Sequence, residues 1–248
     1  MVSASAWYIG CAKEDVGEAA LLTGDRARID RIGKHLENSR ILPENRGLRT
    51  VTGTREGMRI TATAFGMGGP IGAIVLHELF DLGVRTFIRV GTAMAMPPAK
   101  LGDMLLADAA YSNDGTSRTY APVGYPAVAD FDLGAALREA LKRRSLPWRA
   151  GLFGTYDGFY TESFALSAGE ATMIDKVRDE TRRLGLIATD METATLLTAG
   201  RMLGARIASL CLGTVDGITQ AKLDADTLAK REAEMFETAL DALVASRV

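Results

Sequence analysis

The chain is short of the residues that build the commonest catalytic and stapling devices. Its 248 residues include only two cysteines and two histidines. Cys11 and Cys211 each lie in an apolar context and give neither a disulfide framework nor a metal-ligand spacing, a usage that suits a reducing compartment. His35 and His77 fall inside helical patterns, and no HExxH, CxxC or Ser-His-Asp order accompanies them. A metalloenzyme or a triad hydrolase is therefore left without a motif, and no metal is expected. Excess charge is lacking too: 29 Lys and Arg stand against 31 Asp and Glu, a net charge of −2. Nothing pulls the chain as a whole toward nucleic acid or an anionic membrane, so any anion site must be local. No apolar run approaches a membrane span, and no basic segment followed by an apolar one opens the chain, so a cytoplasmic protein is expected. Repeats, low-complexity segments and proline-rich linkers are missing as well. One α/β domain over residues 1–248 is the economical expectation.

What is present is an ordinary globular composition, 47% hydrophobic and 24% charged, arranged in alternating strand and helix patterns. Residues 18–25 are a short apolar run ending in glycine, and Ile29, Ile32 and Leu36 follow at helical spacing. Gly24 to Arg28 therefore reads as a strand-to-helix turn with a basic residue in the first helical turn, where it opposes the helix dipole and hints at an anion. Arg59 to Phe65 alternates as a strand, Gly66 to Pro70 is a glycine-rich loop without a Walker lysine or a GxGxxG, and Ile71 to Leu82 has the helical pattern. Val84 to Val90 reads as a strand buried on both faces, closing one βαβ step. Further strands are expected at 103–110, 149–156, 186–189 and 206–215. Helices are expected at 131–144, 170–184, 191–203 and 223–244, with long loops at 111–127 and 157–167.

Arg89 interrupts its apolar strand with a charge that is costly unless paired or facing a ligand at the strand's end. Either a structural ion pair or a ligand contact satisfies that requirement, and Gly91 after it either starts a turn or opens a crevice. Arg28, Arg46 and Arg89 all lie beside glycines at switch points, the arrangement an oxyanion asks for, although three scattered surface arginines give the same pattern. Asp190 is either an N-cap or a functional carboxylate. Glu192 precedes a buried run and needs a partner, for which vicinal sugar hydroxyls would serve. Asp216 ends an apolar strand as a turn-forming Asp-Gly or as a site acid. Phe159 and Tyr160 either stack on a flat base or anchor their loop.

Taken in order, several segments resemble the nucleoside phosphorylase family, closest to its hexameric uridine phosphorylase branch. They are Trp7 to Gly10, Gly24 to Arg28, Asn45 to Gly47, Gly66 to Gly68, Arg89 to Thr92, Tyr125 to Phe131, Gly158 to Tyr160 and Asp190 to Thr198. The resemblance implies a single three-layer α/β/α domain with a central mixed, largely parallel sheet. It implies that Gly24, Arg28, Arg89 and Thr92 hold phosphate, with Arg46 reaching in from a neighbouring subunit. Met191 and Glu192, with Tyr8 from the neighbour, would hold the ribose. Ala93, Met94, Phe159, Glu162 and Asp216 would face the base, Asp216 as proton donor and Arg89 as the second catalytic group. The implied reaction is phosphorolysis of a nucleoside to free base and pentose 1-phosphate. Inorganic phosphate is the co-substrate, and no metal or organic cofactor takes part. The implied assembly is a homo-oligomer, with a dimer as minimal unit and a hexamer expected.

The departures from the family pattern are specific. Tyr8 stands where the family has a histidine, and Arg26 where it has a proline. Thr161 to Leu166 lacks the glutamine and arginine with which the uridine branch reads uracil, and Ala93 to Met96 replaces a run containing glycine. With Asp216 present, these departures point to a purine rather than uracil. The alternatives are uridine phosphorylase proper, a nucleosidase that uses water, and a homologue that binds nucleosides without turnover.

Overall fold

The computed structural model describes residues 5–247. Ten strands are joined into one sheet: β1 (Ala19–Thr23), β2 (Glu37–Ile41), β3 (Thr50–Arg55), β4 (Met58–Ala64), β5 (Thr86–Ala95), β6 (Met104–Asn113), β7 (Ala127–Val128), β8 (Trp148–Tyr156), β9 (Leu186–Asp190) and β10 (Arg206–Asp216). The helices are α1 (Ala27–Gly33), α2 (Gly69–Asp81), α3 (Ser117–Tyr120), α4 (Phe131–Arg143), α5 (Ala168–Arg183), α6 (Thr193–Leu203) and α7 (Ala225–Ala245). Among the described residues no helix is long and apolar enough to cross a membrane.

The centre of the sheet, β10-β5-β1-β4, is parallel, and β3 and β2 extend it antiparallel at one edge. On the other side β5 pairs antiparallel with β9, then β8 and β6 follow, and β6 returns to β10. Because β10 pairs with both β5 and β6, these five strands close into a ring and leave no free edge there. Two hydrophobic cores flank the sheet, as alternation along buried strands requires. Ile88 and Val90 face α1, α4 and α7 with Leu21, Ile29, Leu137 and Phe236. Phe87 and Leu22 face α2 and α6 with Val75, Leu76 and Leu196. The result is the three-layer α/β/α arrangement.

Local chemistry sets the helix ends. Pro70 lies in the first turn of α2, where its missing N–H costs nothing. Asp130 and Asp224 cap α4 and α7 by accepting from Leu133 N and Thr227 N, each at 2.9 Å. A left-handed Gly204 ends α6.

The structure corrects the sequence reading at several elements. The strand expected over 84–90 runs on to Ala95, because β10 accompanies it through Ala95 and β9 pairs with Met94 and Ala95. Gly91 is therefore mid-strand. The guanidinium of Arg89 folds forward over it, so that a Cβ on Gly91 would lie 2.6 Å from Nη1 and the Arg89 side chain would have to shift. Strands β2 and β3 were not expected. The sequence of β2 is exposed throughout, and β3 buries Thr50 and Thr52, whose hydroxyls pair with Thr63 and Thr61 of β4 at 3.2 and 2.9 Å. The loop expected at 111–127 is shortened by the continuation of β6 to Asn113 and contains α3 and β7.

Candidate functional site

Strand β5 carries Arg89 under the N-terminus of α6. The side chain is 4% exposed, and its Nη2 donates to Glu192 Oε2 at 2.5 Å and lies 3.3 Å from Asp190 Oδ2. Its Nη1 meets Cys211 Sγ on β10, while its Nε is buried with no partner. Burial alone would favour the neutral guanidine; the carboxylates of Asp190 and Glu192 outweigh it and push the pKa up, so Arg89 stays charged. Burial pushes the Cys211 thiol up as well, which keeps it protonated.

Glu192 bridges two elements, since its other oxygen accepts from Gly68 N at 2.6 Å at the start of α2. Each carboxylate oxygen retains a second lone pair. Asp190 is the hub behind it. It accepts from Thr155 Oγ1 at 2.8 Å, from Thr193 Oγ1 at 2.5 Å and from Thr193 N at 3.2 Å. It thus caps the first turn of α6 while sharing Arg89. Ser209 Oγ and Thr193 Oγ1, 2.9 Å apart, complete the buried network.

Further along the same face, Asp114 is 1% exposed. It accepts from Ser112 Oγ at 2.7 Å, Ser117 N at 2.7 Å, Ser117 Oγ at 2.8 Å and Thr195 Oγ1 at 2.6 Å. Burial would raise its pKa, but the bonds from Thr195, Ser112 and Ser117 prevail and hold it below the ordinary carboxylate value. These contacts tie the loop after β6 to α6, so that loop is built into the site's wall. A cavity of about 510 Å³ opens beside it, lined by Pro70, Ala73, Gly115, Thr116, Thr119, Tyr120 and Asp157. Arg89 and Glu192 are not among its walls.

Arg28 approaches the strand ends from the other face. It is 7% exposed, with Nε on Glu232 Oε1 at 2.7 Å and Nη1 on Thr23 Oγ1 at 3.3 Å. Leu22 of β1 is in register with Arg89, so Thr23 and the following Gly24 lie at the level where both arginines arrive. Gly24 packs on Gly66, and a Cβ there would come within 2.7 Å of the Gly66 carbonyl oxygen. Thr92, in register with Leu212, alternates onto the α1 and α7 face, the side of Arg28. The arginines thus straddle the C-terminal end of β1, with Arg89 reaching it from the middle of β5, at the level where open α/β sheets bind ligands.

Ala93 and Met94 are buried against β10, which bulges between Gly213 and Val215 opposite them. Met94 and Met96 pack beneath Gly217, where no Cβ would fit. Asp216 follows on the bulged strand. Its Oδ1 accepts from Ile218 N at 2.9 Å and Thr219 N at 2.7 Å. The Thr219 N–H bond leads the causes that hold its carboxyl below the ordinary value. Asp216 thus closes the turn after β10 with its carboxyl ionised near neutrality. Met191 is half-buried beside Glu192.

Phe159 begins a π-turn over 159–163. It stacks on Phe164 at 5.8 Å and meets Tyr160 edge-on at 5.0 Å. Glu162 closes this turn by accepting from Gly158 N at 2.8 Å and takes a second bond from Asn113 Nδ2 at 3.1 Å. Tyr8 and Arg46 meet each other, with the guanidinium 5.1 Å above the ring. Among the described residues no hydrogen bond joins either side chain to Arg89 or Glu192. No group of three or more His, Cys, Asp or Glu side chains among the described residues is placed to hold a metal ion.

Sequence reasoning missed Thr155, Thr193, Ser209, Asp114 and Thr195. Single hydroxyls inside apolar strands, as at Ser209 and Thr155, were the available signal.

The chain matches the family model described as Phosphorylase superfamily over residues 18–245. It is 34% identical over 216 residues to the uridine phosphorylase of Thermococcus kodakarensis, a match covering 86% of this chain and 78% of the relative. It is 35% identical over 204 residues to the guanosine phosphorylase of Halorubrum lacusprofundi, covering 82% of this chain and 79% of the relative. A crystal structure of uridine phosphorylase from Vibrio fischeri ES114, complexed with 6-hydroxy-1-naphthoic acid, superposes with a TM-score of 0.89 at 28% identity, covering 98% of both chains.

Proposed function

The chain belongs to the phosphorylase superfamily, and from that premise we propose that it is a nucleoside phosphorylase acting on a purine nucleoside. The observation that carries the chemistry is Arg89: a buried guanidinium level with the C-terminal end of β1, paired with Glu192 yet keeping an unpartnered Nε. Phosphate seats between Arg89 and Arg28, with Gly24 and Thr92 completing the cradle. Glu192 accepts the ribose hydroxyls on its spare lone pairs beside Met191. A phosphate oxygen attacks C1′ from the face opposite the base, the C1′–N bond breaks with its electron pair passing to the base, and the configuration at C1′ inverts. The arginines lower the barrier by holding the anion against the oxocarbenium-like sugar. Tyr8 and Arg46 serve the site of a neighbouring subunit in a homo-oligomer.

The purine preference is supported by Glu162, a carboxylate where the uridine branch would need an amide and a guanidinium. Such an acceptor suits the N1–H edge of guanine or hypoxanthine, whereas uracil flanks its N3–H with two carbonyls that a carboxylate repels. The guanosine phosphorylase of Halorubrum lacusprofundi, at 35% identity, is a relative named for a purine nucleoside and supports this reading. A second reading, uridine phosphorylase proper, is favoured by the names of the Thermococcus and Vibrio proteins. Phosphorolysis of guanosine, inosine, adenosine and uridine under saturating phosphate decides between them. Robust uridine turnover with no purine activity overturns the purine reading, and base release at full rate without phosphate overturns the phosphorylase.

A further inference from the structure

Glu232 on the terminal helix is 3% exposed and faces α1, not solvent. Its two oxygens go to two arginines one helical turn apart: Oε1 to Arg28 Nε at 2.7 Å and Oε2 to Arg31 Nη2 at 3.0 Å. A buried ion pair spanning 204 residues is weak evidence for stability, because desolvation offsets most of the attraction. Its geometry says more. Guanidinium is planar, so fixing Nε on the carboxylate fixes the plane and leaves the terminal fork between the two Nη groups directed elsewhere. Here Nη1 is directed at Thr23 Oγ1, the last residue of β1.

We infer that Glu232 is a positioning residue for phosphate. It holds the Nε edge of Arg28 from behind, so that the Nη fork presents itself at the end of β1 with its orientation already fixed. Arg31 keeps the carboxylate in place by taking its other oxygen and is itself anchored to Asp25 at 3.0 Å. Helix α7 thereby sets the anion affinity of the site. This inference rests on the phosphate role of Arg28 proposed above.

The test is steady-state kinetics on the full-length protein, varying phosphate and nucleoside separately, for Glu232→Gln, Glu232→Asp, Arg31→Ala and Arg28→Ala. Glu234→Gln, which breaks only the neighbouring Arg231 pair on α7, is the control for the helix. Glu232→Gln is expected to raise the KM for phosphate about tenfold with the KM for nucleoside unchanged, as loss of one charge-assisted orienting bond implies. Glu232→Asp should fall between it and wild type, and Glu234→Gln should match wild type. Should Glu232→Gln fail to fold, Arg31→Ala carries the test, since Arg31 is half-exposed; a severalfold rise in the phosphate KM alone is then expected. A lowered phosphate KM in Glu232→Gln would show a competitor for Arg28 and overturn the inference, as would equal changes in both KM values. If Arg28→Ala leaves the phosphate KM untouched, the phosphate role of Arg28 falls. If only Arg28→Ala raises it, the role of Glu232 falls alone.

Discussion

Arg89 and Glu192 meet through a 2.5 Å bond between Nη2 and Oε2, although 103 residues of chain separate them. The bond joins the proposed phosphate and ribose ends of the site, so each group orients the other before substrate arrives. Removing Arg89 outright leaves Asp190 and Glu192 buried without their cation, a loss of about 3–5 kcal/mol of stability. Arg89→Lys is the sharper probe, since it keeps the charge and removes the fork. Its kcat/KM for phosphate is expected to fall on the order of a hundredfold, the scale for one preorganised donor to a reacting group, with a modest change in thermal midpoint. Near-normal phosphate kinetics in Arg89→Lys would remove Arg89 from the phosphate site.

Asp114 gives a pH-dependent signature. Its folded pKa lies below the ordinary 3.8, so its ionised form stabilises the fold above that value, and the contribution is lost as pH falls through the folded pKa. Asp114→Asn points an amide donor at hydroxyl and backbone donors and should cost about 2 kcal/mol near neutrality. Urea unfolding of both proteins should show that difference at pH 7 and a narrowing gap as pH drops below 3.8. A gap constant with pH would mean that the charge on Asp114 contributes nothing.

Asp216 separates two roles. As a turn former with a depressed pKa, it should tolerate Asp216→Asn with kcat at pH 7 within about threefold of wild type, because the amide oxygen can still accept the Ile218 and Thr219 N–H bonds. General acid catalysis is worth about a hundredfold or more. A loss of that size, with the acidic or basic limb of the rate profile abolished, would restore Asp216 as the proton donor.

How much of this was legible before folding depends on whether a residue's partner is local. Arg89 stood out because a charge inside a buried strand has few explanations, and Glu192 because an acid before an apolar helix must pair. Gly91 was misread as a strand end, since the space a Cβ would take there is filled by the Arg89 side chain folded over it. Strand β3 escaped notice because its buried threonines read as polar until β4 supplies matching hydroxyls. The ring closed by β10 depends on pairings more than a hundred residues apart, and no local pattern encodes that register. Glu232 was invisible for the same reason: on α7 it is one acid among many until Arg28 packs against it.

Tyr8 and Arg46 give the last prediction. Arg46 sits at a positive φ of 53° with its guanidinium stacked on Tyr8 and, among the described residues, bonded to no carboxylate. A cation left available in this way fits a site on another copy of the chain. If the neighbour's site takes Arg46, then Arg46→Ala disables the adjoining subunit's site, and Arg89→Ala disables its own. In a symmetric pair holding one of each, the Arg46→Ala subunit keeps its own Arg89 and receives an intact Arg46, so one site of the two is whole. Random pairing on co-expression should therefore recover about a quarter of wild-type activity from two nearly inactive variants. Mass measurement of the purified mixture checks that mixed oligomers form. No recovery in verified mixed oligomers would place Arg46 in its own subunit's site, and a dilution-stable monomer with full activity would remove the shared site altogether.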